Sequence, residues 1–369
     1  MVGNDLADAQ QSMTRYAEWL LQALQARGLE ATVMRPQAFF SRLTRHRGGR
    51  KYLGYLDKFL IFPPRLRRQA RQYDLVHVLD HANSMYLRVV GDRPRLITCH
   101  DLLAVRSARG AFAGVSVGWS GRILQRWILS GLRQAPNLLC VSQKTAGDLQ
   151  GLTGGNGQRT WMVNNTLNWG YHPAAARADG ILHRLALDGG RAYLLHVGGN
   201  QWNKNRVGVL RIFARLRDED AGLRLVMAGE PFTPQMRSVV LQEGLQESVM
   251  EAVNIANEEL QELYSHALAL LFPSLEEGFG WPVLEAQACG CPVITSHRPP
   301  MTEVAGAAAI LIDPGDPAAA AQAIFRGLSR RAELIAEGFR NLRRFDPETI
   351  VDRYCGLYAE ILDPLERRA

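Results

Sequence analysis

The chain has 369 residues, enough for two domains with full cores, and 47% of them are hydrophobic against 21% charged, as in ordinary globular proteins. No apolar run approaches the roughly 20 residues of a membrane span, and no basic segment followed by an apolar one opens the sequence, so we expect a cytoplasmic protein. Residues 1–170 carry 23 Lys and Arg against 10 Asp and Glu, whereas residues 171–369 carry 20 against 26, as two domains with different partners would.

The N-terminal part predicts one helix and a strand after it. Residues 10–27 have apolar side chains at helical spacing, and Gly28 follows the end of this pattern. Residues 31–34 predict the strand. No apolar run precedes the helix, so no strand is predicted there.

Residues 42–71 are rich in arginine. The segments RLTRHRGGRK and RLRRQAR flank the aromatic and aliphatic run YLGYLDKFLIFPP. Such interleaving suits peripheral contact with an anionic membrane surface, to which each cation contributes about 1 kcal/mol. Nucleic acid would use the same charges, but no recognition motif accompanies them. A solvated loop is the remaining interpretation.

Three apolar runs, residues 75–79, 96–98 and 138–141, predict buried strands that end in polar residues. Asp80 and His81 follow the first run, and His100 follows the second. Ligands of open α/β sheets bind outside the carboxyl ends of the strands, so these side chains are candidates for a site. A structural hydrogen-bonding role is the alternative for His100.

Residues 117–133 predict a helix, and the simplest interpretation of its apolar stripe is core packing. The stripe comprises Trp119, Ile123, Trp127 and Leu132. A domain boundary is expected near residues 168–190, which lack regular apolar periodicity.

The second domain is predicted to open with a strand at residues 193–197, the loop GGNQWNKN and a helix at 205–217. Gly198 and Gly199 lie at the turn before a helix N-terminus, where Lys204 can add a cation to an anion site. The loop lacks P-loop spacing, so this signal is weak by itself. Residues 223–228 and 249–255 predict further strands.

The stretch 268–296 predicts strand, loop, short helix and strand. Glu277 lies in the loop, and Glu285 lies about one turn into a helix that has Pro282 in its first turn. Gly278 and Gly280 allow a ligand to approach the backbone N–H groups at the helix N-terminus closely. A carboxylate beside such an anion site can accept hydrogen bonds from sugar hydroxyls. The alternative is that both glutamates are solvated.

The sequence EGFGWPVLE, followed by AQACGCPVI, resembles the signature of the retaining glycosyltransferases called family 4. The preceding FPS, the later EVAG at 303–306 and the run TCHDL resemble the same family. This resemblance implies an α/β protein of the GT-B type, with two Rossmann-like domains facing across a cleft. Residues 1–170 would form the acceptor-side domain, 171–346 the nucleotide-sugar domain, and 347–369 a helix crossing back. The family's first strand is missing from the predicted elements, through truncation or through an altered acceptor side.

The resemblance also implies roles for individual residues. Glu277 and His100 would contact the transferred sugar, Glu285 the ribose, and Lys204 the diphosphate, so that His100, Glu277 and Lys204 form the catalytic set. Asn203 stands where the family's R-K-N loop has arginine, and Arg206 is one candidate to replace that cation. The implied donor-binding residues are Gly198, Gly199, Asn203, Lys204, Asn254, Ile255, Glu277, Gly278, Phe279, Gly280 and Glu285.

The implied reaction moves a hexose, with mannose favoured, from a GDP- or UDP-linked donor to a saccharide acceptor with retention of configuration. We expect a role in bacterial surface polysaccharide or lipid-linked glycan assembly, at the inner face of the membrane. No metal or other cofactor is expected, and the five cysteines form no C-x-x-C pair. A non-catalytic nucleotide- or sugar-binding scaffold is the alternative. A dinucleotide-dependent oxidoreductase should show G-x-G-x-x-G, which GGNGQ at 154–158 does not.

Overall fold

Two parallel β-sheets organise the structure, and each belongs to its own unit of the chain. The computed structural model describes residues 1–6, 10–37, 39–40, 53–155, 157–175, 180–187 and 189–363. The first unit comprises Met1–Asn168 with Pro347–Ala369, and the second comprises Trp169–Asp346. The predicted α/β class with a parallel sheet in each half is confirmed.

The sheet of the first unit has four parallel strands in the order β1, β2, β3 and β4, which are Val76–Val78, Arg95–Cys99, Asn137–Cys140 and Arg159–Met162. Nearly every residue of β2 and β3 is buried, as apolar runs predict for strands covered on both faces. The helices up to the end of this sheet are α1 (Gln11–Ala26), α2 (Phe62–Gln69, preceded by the π-helical segment Asp57–Ile61), α3 (Tyr86–Val89), α4 (Leu103–Ala108), α5 (Trp119–Arg133) and α6 (Gln143–Thr153).

The N-terminal residues pair with the first sheet, although the sequence predicts no strand before α1. The Val2 N–H donates to the His77 carbonyl at 2.8 Å, and the Gly3 N–H donates to the Met34 carbonyl at 2.9 Å. Val2 therefore bridges in parallel to Met34 on one side and to β1 on the other. Of the strand predicted at 31–34, only Met34 pairs in this way, so the prediction of a strand there was too long. The first strand is reduced to a single bridging residue.

The second unit contains a six-stranded parallel sheet in the order β10, β9, β8, β5, β6 and β7. Its strands are β5 (Tyr193–Gly198), β6 (Arg224–Gly229), β7 (Val249–Val253), β8 (Ala269–Phe272), β9 (Val293–Ser296) and β10 (Ala309–Ile312). Its helices are α7 (Ile181–Arg184), α8 (Arg206–Glu219), α9 (Pro234–Gln242), α10 (Asn257–His266), α11 (Trp281–Ala288), α12 (Met301–Ala305), α13 (Pro317–Leu328) and α14 (Arg331–Leu342). The buried apolar side chains of β5, β6, β8 and β9 pack with α8 and α13 in one core.

The C-terminal helix α15 (Pro347–Leu362) packs within the first unit, although it follows the second unit in sequence. The hydroxyls of Tyr16 and Tyr354 lie 2.7 Å apart, and His77 Nδ1 lies 2.7 Å from the Tyr358 hydroxyl. These tyrosines are buried with apolar residues of α1 and α15, so burial and hydrogen bonding both attach the helix to the first unit.

Helix α5 turns its stripe of tryptophans outward, so the prediction that this stripe is core was wrong. Trp119 is 77% exposed, Ile123 55% and Trp127 39%, whereas Leu132 is buried. Helical spacing shows that apolar side chains share a face, but it does not show which face is covered. The buried residues of α5 lie in its C-terminal part and are Ile128, Leu129, Gly131 and Leu132. In the part of the chain that the structure describes, no helix has the length and hydropathy to cross a bilayer.

Candidate functional site

The candidate site of the second unit lies at the carboxyl ends of β5 and β8, which are neighbours in the middle of the sheet. After β5 the chain continues to β6 on one side, and after β8 it continues to β9 on the other. This arrangement is a topological switch point, where ligands of open α/β sheets bind. The loops that follow these two strands carry most of the predicted donor-binding residues.

Lys204 and Glu277 join the two loops. Lys204 Nζ donates a hydrogen bond to Glu277 Oε1 at 2.6 Å, and the same ammonium lies 5.2 Å from the centre of the Phe272 ring. Glu277 is buried, while the Lys204 side chain keeps partial exposure. The sequence predicted both residues as donor-binding, and the structure brings them into direct contact 73 positions apart.

Asn203 ties the same two loops together through the backbone. Its Nδ2 donates to the Glu276 carbonyl at 2.9 Å, and its carbonyl accepts from the Leu275 N–H at 2.8 Å. Asn203 is buried, so a longer charged side chain in its place would lose the Nδ2 bond to the Glu276 carbonyl. The residue found where the resembled family has arginine therefore has a structural function in this chain.

The N-terminus of α11 supplies backbone donors beside Glu277. In the described part of the chain, the N–H groups of Phe279 and Gly280 donate to no protein acceptor. Gly280 has φ +101°, and a Cβ there would overlap the side chain of Met301. The positive φ favours glycine at this position, whereas the flexible end of Met301 could move aside. Free amides at a helix N-terminus favour an anion.

Glu285 lies on the buried face of α11, one turn after these amides. Tyr264 of α10 donates its hydroxyl to Glu285 Oε2 at 2.9 Å. Burial, together with the charge of Glu285, raises the pKa of Tyr264 well above its usual value, so the hydroxyl stays a donor. No sequence motif pointed to Tyr264, because it lies on a different helix.

Gly198 and Gly229 meet where β5 and β6 end. They are paired in the sheet, and a Cβ at Gly229, which has φ +140°, would overlap the Gly198 carbonyl oxygen. Beneath Gly198 lies His196, whose Nδ1 donates to the Leu271 carbonyl at 2.9 Å. Burial lowers the pKa of His196 to about 3, and the nearby charges of Arg206 and Lys204 act in the same direction. This histidine is a neutral packing residue under the glycine turn.

Arg206 opens helix α8 and is almost fully buried. Its guanidinium donates to Asn200 Oδ1 and, at 2.8 Å, to the Glu230 carbonyl. Nε and Nη2 find no hydrogen-bond partner in the described part of the chain. Arg206 therefore holds the loop after β5 against the loop after β6, with two donors left over.

Asn254 and Ile255 follow the end of β7, at the edge of the sheet. Asn254 has φ +55°, a conformation that asparagine tolerates better than most residues, and its side chain is exposed. The role of these two residues in donor binding stays a prediction.

His100 belongs to the first unit and directly follows β2. Its Nε2 donates to the Leu79 carbonyl at 2.9 Å, and its ring meets Tyr16 edge to face at 4.7 Å. Burial lowers the pKa of His100, so the ring is neutral near pH 7. A neutral histidine at a strand end can hydrogen-bond a sugar hydroxyl without adding charge.

A second polar group on the first unit surrounds Asp80, just after β1. Asn4 Nδ2 donates to Asp80 Oδ2 at 2.6 Å, and His81 Nδ1 lies 3.2 Å from Asp80 Oδ1. Burial alone would raise the pKa of Asp80, but the bond and charge of His81 outweigh it and hold that pKa well below the usual range. Asn4 was missed by the sequence analysis because the bridging Val2 before it was not recognised as part of the sheet.

No group of three or more His, Cys, Asp or Glu side chains in the described ranges is arranged to hold a metal ion. The charged side chains that the structure places at the second-unit site are Lys204, Arg206, Glu277 and Glu285.

Comparison with known proteins places this geometry in a family. Residues 181–337 match the family described as Glycosyl transferases group 1, and residues 13–168 match Glycosyltransferase Family 4. The chain belongs to the group 1 glycosyltransferases. As a member of this group it is a transferase with the GT-B fold, and the recognition made from its motifs is confirmed.

Individual relatives of this group 1 glycosyltransferase resemble it at modest identity. O-antigen chain mannosyltransferase B of Escherichia coli is 29% identical over 183 residues, 48% of this chain and 47% of the relative. D-inositol 3-phosphate glycosyltransferase of Acidothermus cellulolyticus is 29% identical over 82% of this chain and 70% of the relative. The chain thus spans about half the length of the first of these. Sucrose-phosphate synthase from Thermosynechococcus elongatus superposes with a TM-score of 0.74 over 98% of this chain and 95% of that one, at 21% identity.

Proposed function

We propose that this glycosyltransferase moves mannose from GDP-mannose to a saccharide acceptor and retains the configuration at the anomeric carbon. The observation that carries the proposal is the contact between Lys204 and Glu277 at the switch point of the second sheet, beside the N–H groups of Phe279 and Gly280. This arrangement places a cation, a carboxylate and helix N-terminal amides at one spot. The mannosyltransferase named among the relatives supports the choice of sugar.

In the proposed reaction the bond between the anomeric carbon and the diphosphate oxygen breaks, and an acceptor hydroxyl attacks on the same face. The departing phosphate takes the hydroxyl proton. Lys204 and the amides of Phe279 and Gly280 stabilise the charge that develops on the diphosphate. Glu277 accepts hydrogen bonds from sugar hydroxyls, and His100 contacts the same sugar. No metal is needed in this scheme, so EDTA should leave the rate unchanged.

Glu285 is proposed to bind the ribose, because Tyr264 holds its carboxylate in place. Asn254 and Ile255 would lie against the base. Gly198 and Gly199 would allow the diphosphate to approach the turn after β5. Arg206, with two donors not used by the protein, is the candidate for the cation that Asn203 does not provide.

We further propose that the acceptor is a lipid-linked saccharide used in surface polysaccharide assembly and met at the inner membrane face. Residues 42–52 of the predicted membrane-contact segment 42–71 lie outside the described residues. The remainder of the segment contains α2. Charge reversal of Arg65, Arg67 and Arg68 should lower transfer to lipid-linked acceptors more than transfer to soluble ones. Equal loss on both acceptors would contradict this part of the proposal.

The donor is tested by calorimetric titration with GDP, UDP and ADP, using the wild type and Glu285→Ala. We expect selective binding of GDP that the variant weakens about tenfold or more, as loss of a charged hydrogen-bond partner predicts. Glu276→Gln, next to the proposed sugar carboxylate, is the matched control. Release of GDP from GDP-mannose in the presence of acceptor then measures turnover. Binding without turnover of any donor would favour the non-catalytic scaffold.

A further inference from the structure

Helix α5 presents large apolar side chains to solvent. Trp119, Ile123 and Trp127 follow one another at intervals of four residues along its exposed face. Exposed tryptophan is costly unless its ring is covered by a partner or lies at an interface between water and lipid. The feature is therefore a candidate docking surface.

The surface extends beyond α5 to the segment before α2. The rings of Phe59 and Trp127 are 5.0 Å apart, and Tyr55 stacks on Phe59 at 5.8 Å. Leu56 and Leu60, next to these rings in sequence, are both exposed. We call the set Leu56, Leu60, Trp119, Ile123 and Trp127 the tryptophan face.

Arginines border the tryptophan face along α5. Arg122 and Arg126 alternate with its apolar residues and, together with Arg109, line a cavity of about 420 Å³. Within the part of the chain that the structure describes, the guanidinium groups of these three arginines form no hydrogen bond or ion pair. They are available for an anion.

No acidic residue opposes these cations nearby in the sequence. Residues 102–147 contain five arginines, one lysine and no Asp or Glu. Asp57, on the segment before α2, is buried and accepts from the N–H groups of Phe39 and Phe40. The face and its border are thus positively charged.

A second group of arginines lies at the C-terminal end of α5. Arg88 Nη2 donates to Ser130 Oγ at 2.9 Å, which places Arg88 one turn beyond Trp127. Arg88 also lines a cavity of about 560 Å³ with Arg67, Arg71 and Arg93. Cations therefore border the face on α5 itself and beyond its end.

We propose that the tryptophan face docks on an anionic lipid bilayer. Its rings and aliphatic side chains enter the boundary between headgroups and acyl chains, and Arg109, Arg122 and Arg126 bind lipid phosphates. Charge decides between this occupant and a second copy of the chain. An isologous dimer through the face would bring the arginines of both copies together, whereas anionic lipid neutralises them.

This inference goes beyond the proposed sugar transfer and does not depend on it, because vesicle binding is measured without donor or acceptor. It also assigns residues outside the basic segment 42–71 to the membrane contact. The chain provides matched controls, since Phe325 is 54% exposed on α13 of the second unit and Arg326 follows it.

The test is co-sedimentation of the purified chain with vesicles of phosphatidylcholine and phosphatidylglycerol at about 70:30, and with pure phosphatidylcholine. We expect binding to the anionic vesicles only. Each of Arg122→Ala and Arg126→Ala should weaken it about fivefold, which corresponds to about 1 kcal/mol per cation. Ile123→Glu and the double variant Trp119→Ser with Trp127→Ser should abolish it, whereas Phe325→Ser and Arg326→Ala should bind as the wild type does.

Three results would overturn the proposal. The first is that the wild type binds neither kind of vesicle, and the second is that the wild type and Ile123→Glu bind the anionic vesicles equally. The third is that sedimentation equilibrium shows a dimer of the wild type that the Ile123→Glu substitution dissociates. The side chains of Trp119, Ile123 and the two arginines are largely exposed, so their single variants should keep the wild-type thermal midpoint, which is measured in parallel. The double variant also loses the ring contact between Trp127 and Phe59, so only its midpoint should fall. Loss of binding with an unchanged midpoint supports the lipid interface.

Discussion

The Lys204 ammonium and the Glu277 carboxylate lie 2.6 Å apart and connect the loops after β5 and β8. Asn203 connects the same loops through one side-chain and one backbone hydrogen bond. Within the described residues, Lys204 thus has a single carboxylate partner, at a position where a diphosphate is proposed to bind. A bound diphosphate would share the ammonium with Glu277, so the pair preorganises the cation before the donor arrives.

The first prediction concerns this pair. Lys204→Met and Glu277→Gln should each lower kcat/KM for the donor by about 10- to 150-fold, the equivalent of losing a charged hydrogen bond of about 1.5–3 kcal/mol. Their combined effect should be smaller than the product of the single effects, because the two side chains are in contact. Initial rates of nucleotide release measure this.

Lys144→Met is the control for Lys204, because Lys144 also binds a carboxylate, that of Asp148, but in the first unit. Glu276→Gln is the control for Glu277. A Glu277→Gln variant with the wild-type rate would remove this carboxylate from the proposed mechanism.

The second prediction concerns Gly229. An alanine there places a Cβ onto the Gly198 carbonyl oxygen at a φ of +140°, so β5 and β6 must separate at their carboxyl ends. We expect Gly229→Ala to lower the free energy of unfolding by about 1–3 kcal/mol and to weaken nucleotide binding. Urea unfolding and calorimetry measure the two effects.

Gly147→Ala provides the contrast. Gly147 lies exposed in α6 with no atom near the added Cβ, so this change should stabilise the chain by about 0.5–1 kcal/mol. If both glycine variants had the same stability, the close approach of β5 and β6 would carry no cost.

Sequence patterns locate the strands and loops of the second unit well, because buried parallel strands are apolar runs and glycine and proline mark their ends. They cannot show that Tyr264 donates to Glu285 or that Asn203 binds the Glu276 carbonyl, since these bonds join positions 21 and 73 residues apart. The outward stripe of α5 was misassigned because periodicity does not say which helix face is covered.

The N-terminal bridge was missed for a different reason. Val2 pairs with Met34 and with β1 through backbone groups alone, so no apolar run marks the pairing. Asn4 reaches Asp80 only because this bridge places it at the carboxyl edge of the sheet. A single bridging residue has no sequence period to detect.

The third prediction is a pH dependence. The pKa of His196 is about 3 in the folded chain because of its burial, whereas an unfolded histidine has a pKa of about 6.5. Between these values the unfolded state binds one more proton, so stability must fall as pH falls below about 6.5. At pH 5 His196 alone should account for a loss of about 2 kcal/mol.

Urea unfolding at pH 7.5, 6 and 5 tests this. His196→Gln keeps an amide that can donate to the Leu271 carbonyl and removes the titration, so its stability should decline less steeply between pH 6.5 and 5. His297→Gln, an exposed substitution in the same unit, is the control. An unchanged decline in His196→Gln would show that other groups cause the acid sensitivity.

The fourth prediction concerns Tyr264, which we infer positions Glu285 for the ribose. Tyr264→Phe leaves the buried carboxylate without its hydroxyl donor at 2.9 Å, so we expect nucleotide affinity to fall about tenfold or more. The effect should appear in the nucleotide Kd and in donor KM, while kcat changes little, because the ribose contact is the same in the ground and transition states.

Tyr193→Phe is the matched control for this variant. Tyr193 is also buried, and its hydroxyl donates to the carbonyl of Leu263, the residue before Tyr264, at 2.7 Å. This hydroxyl does not contact a site carboxylate. Both variants should lose similar stability, whereas only Tyr264→Phe should weaken nucleotide binding. If both weakened it equally, the hydroxyl of Tyr264 would act through general packing, and Glu285 would need no positioning residue to bind ribose.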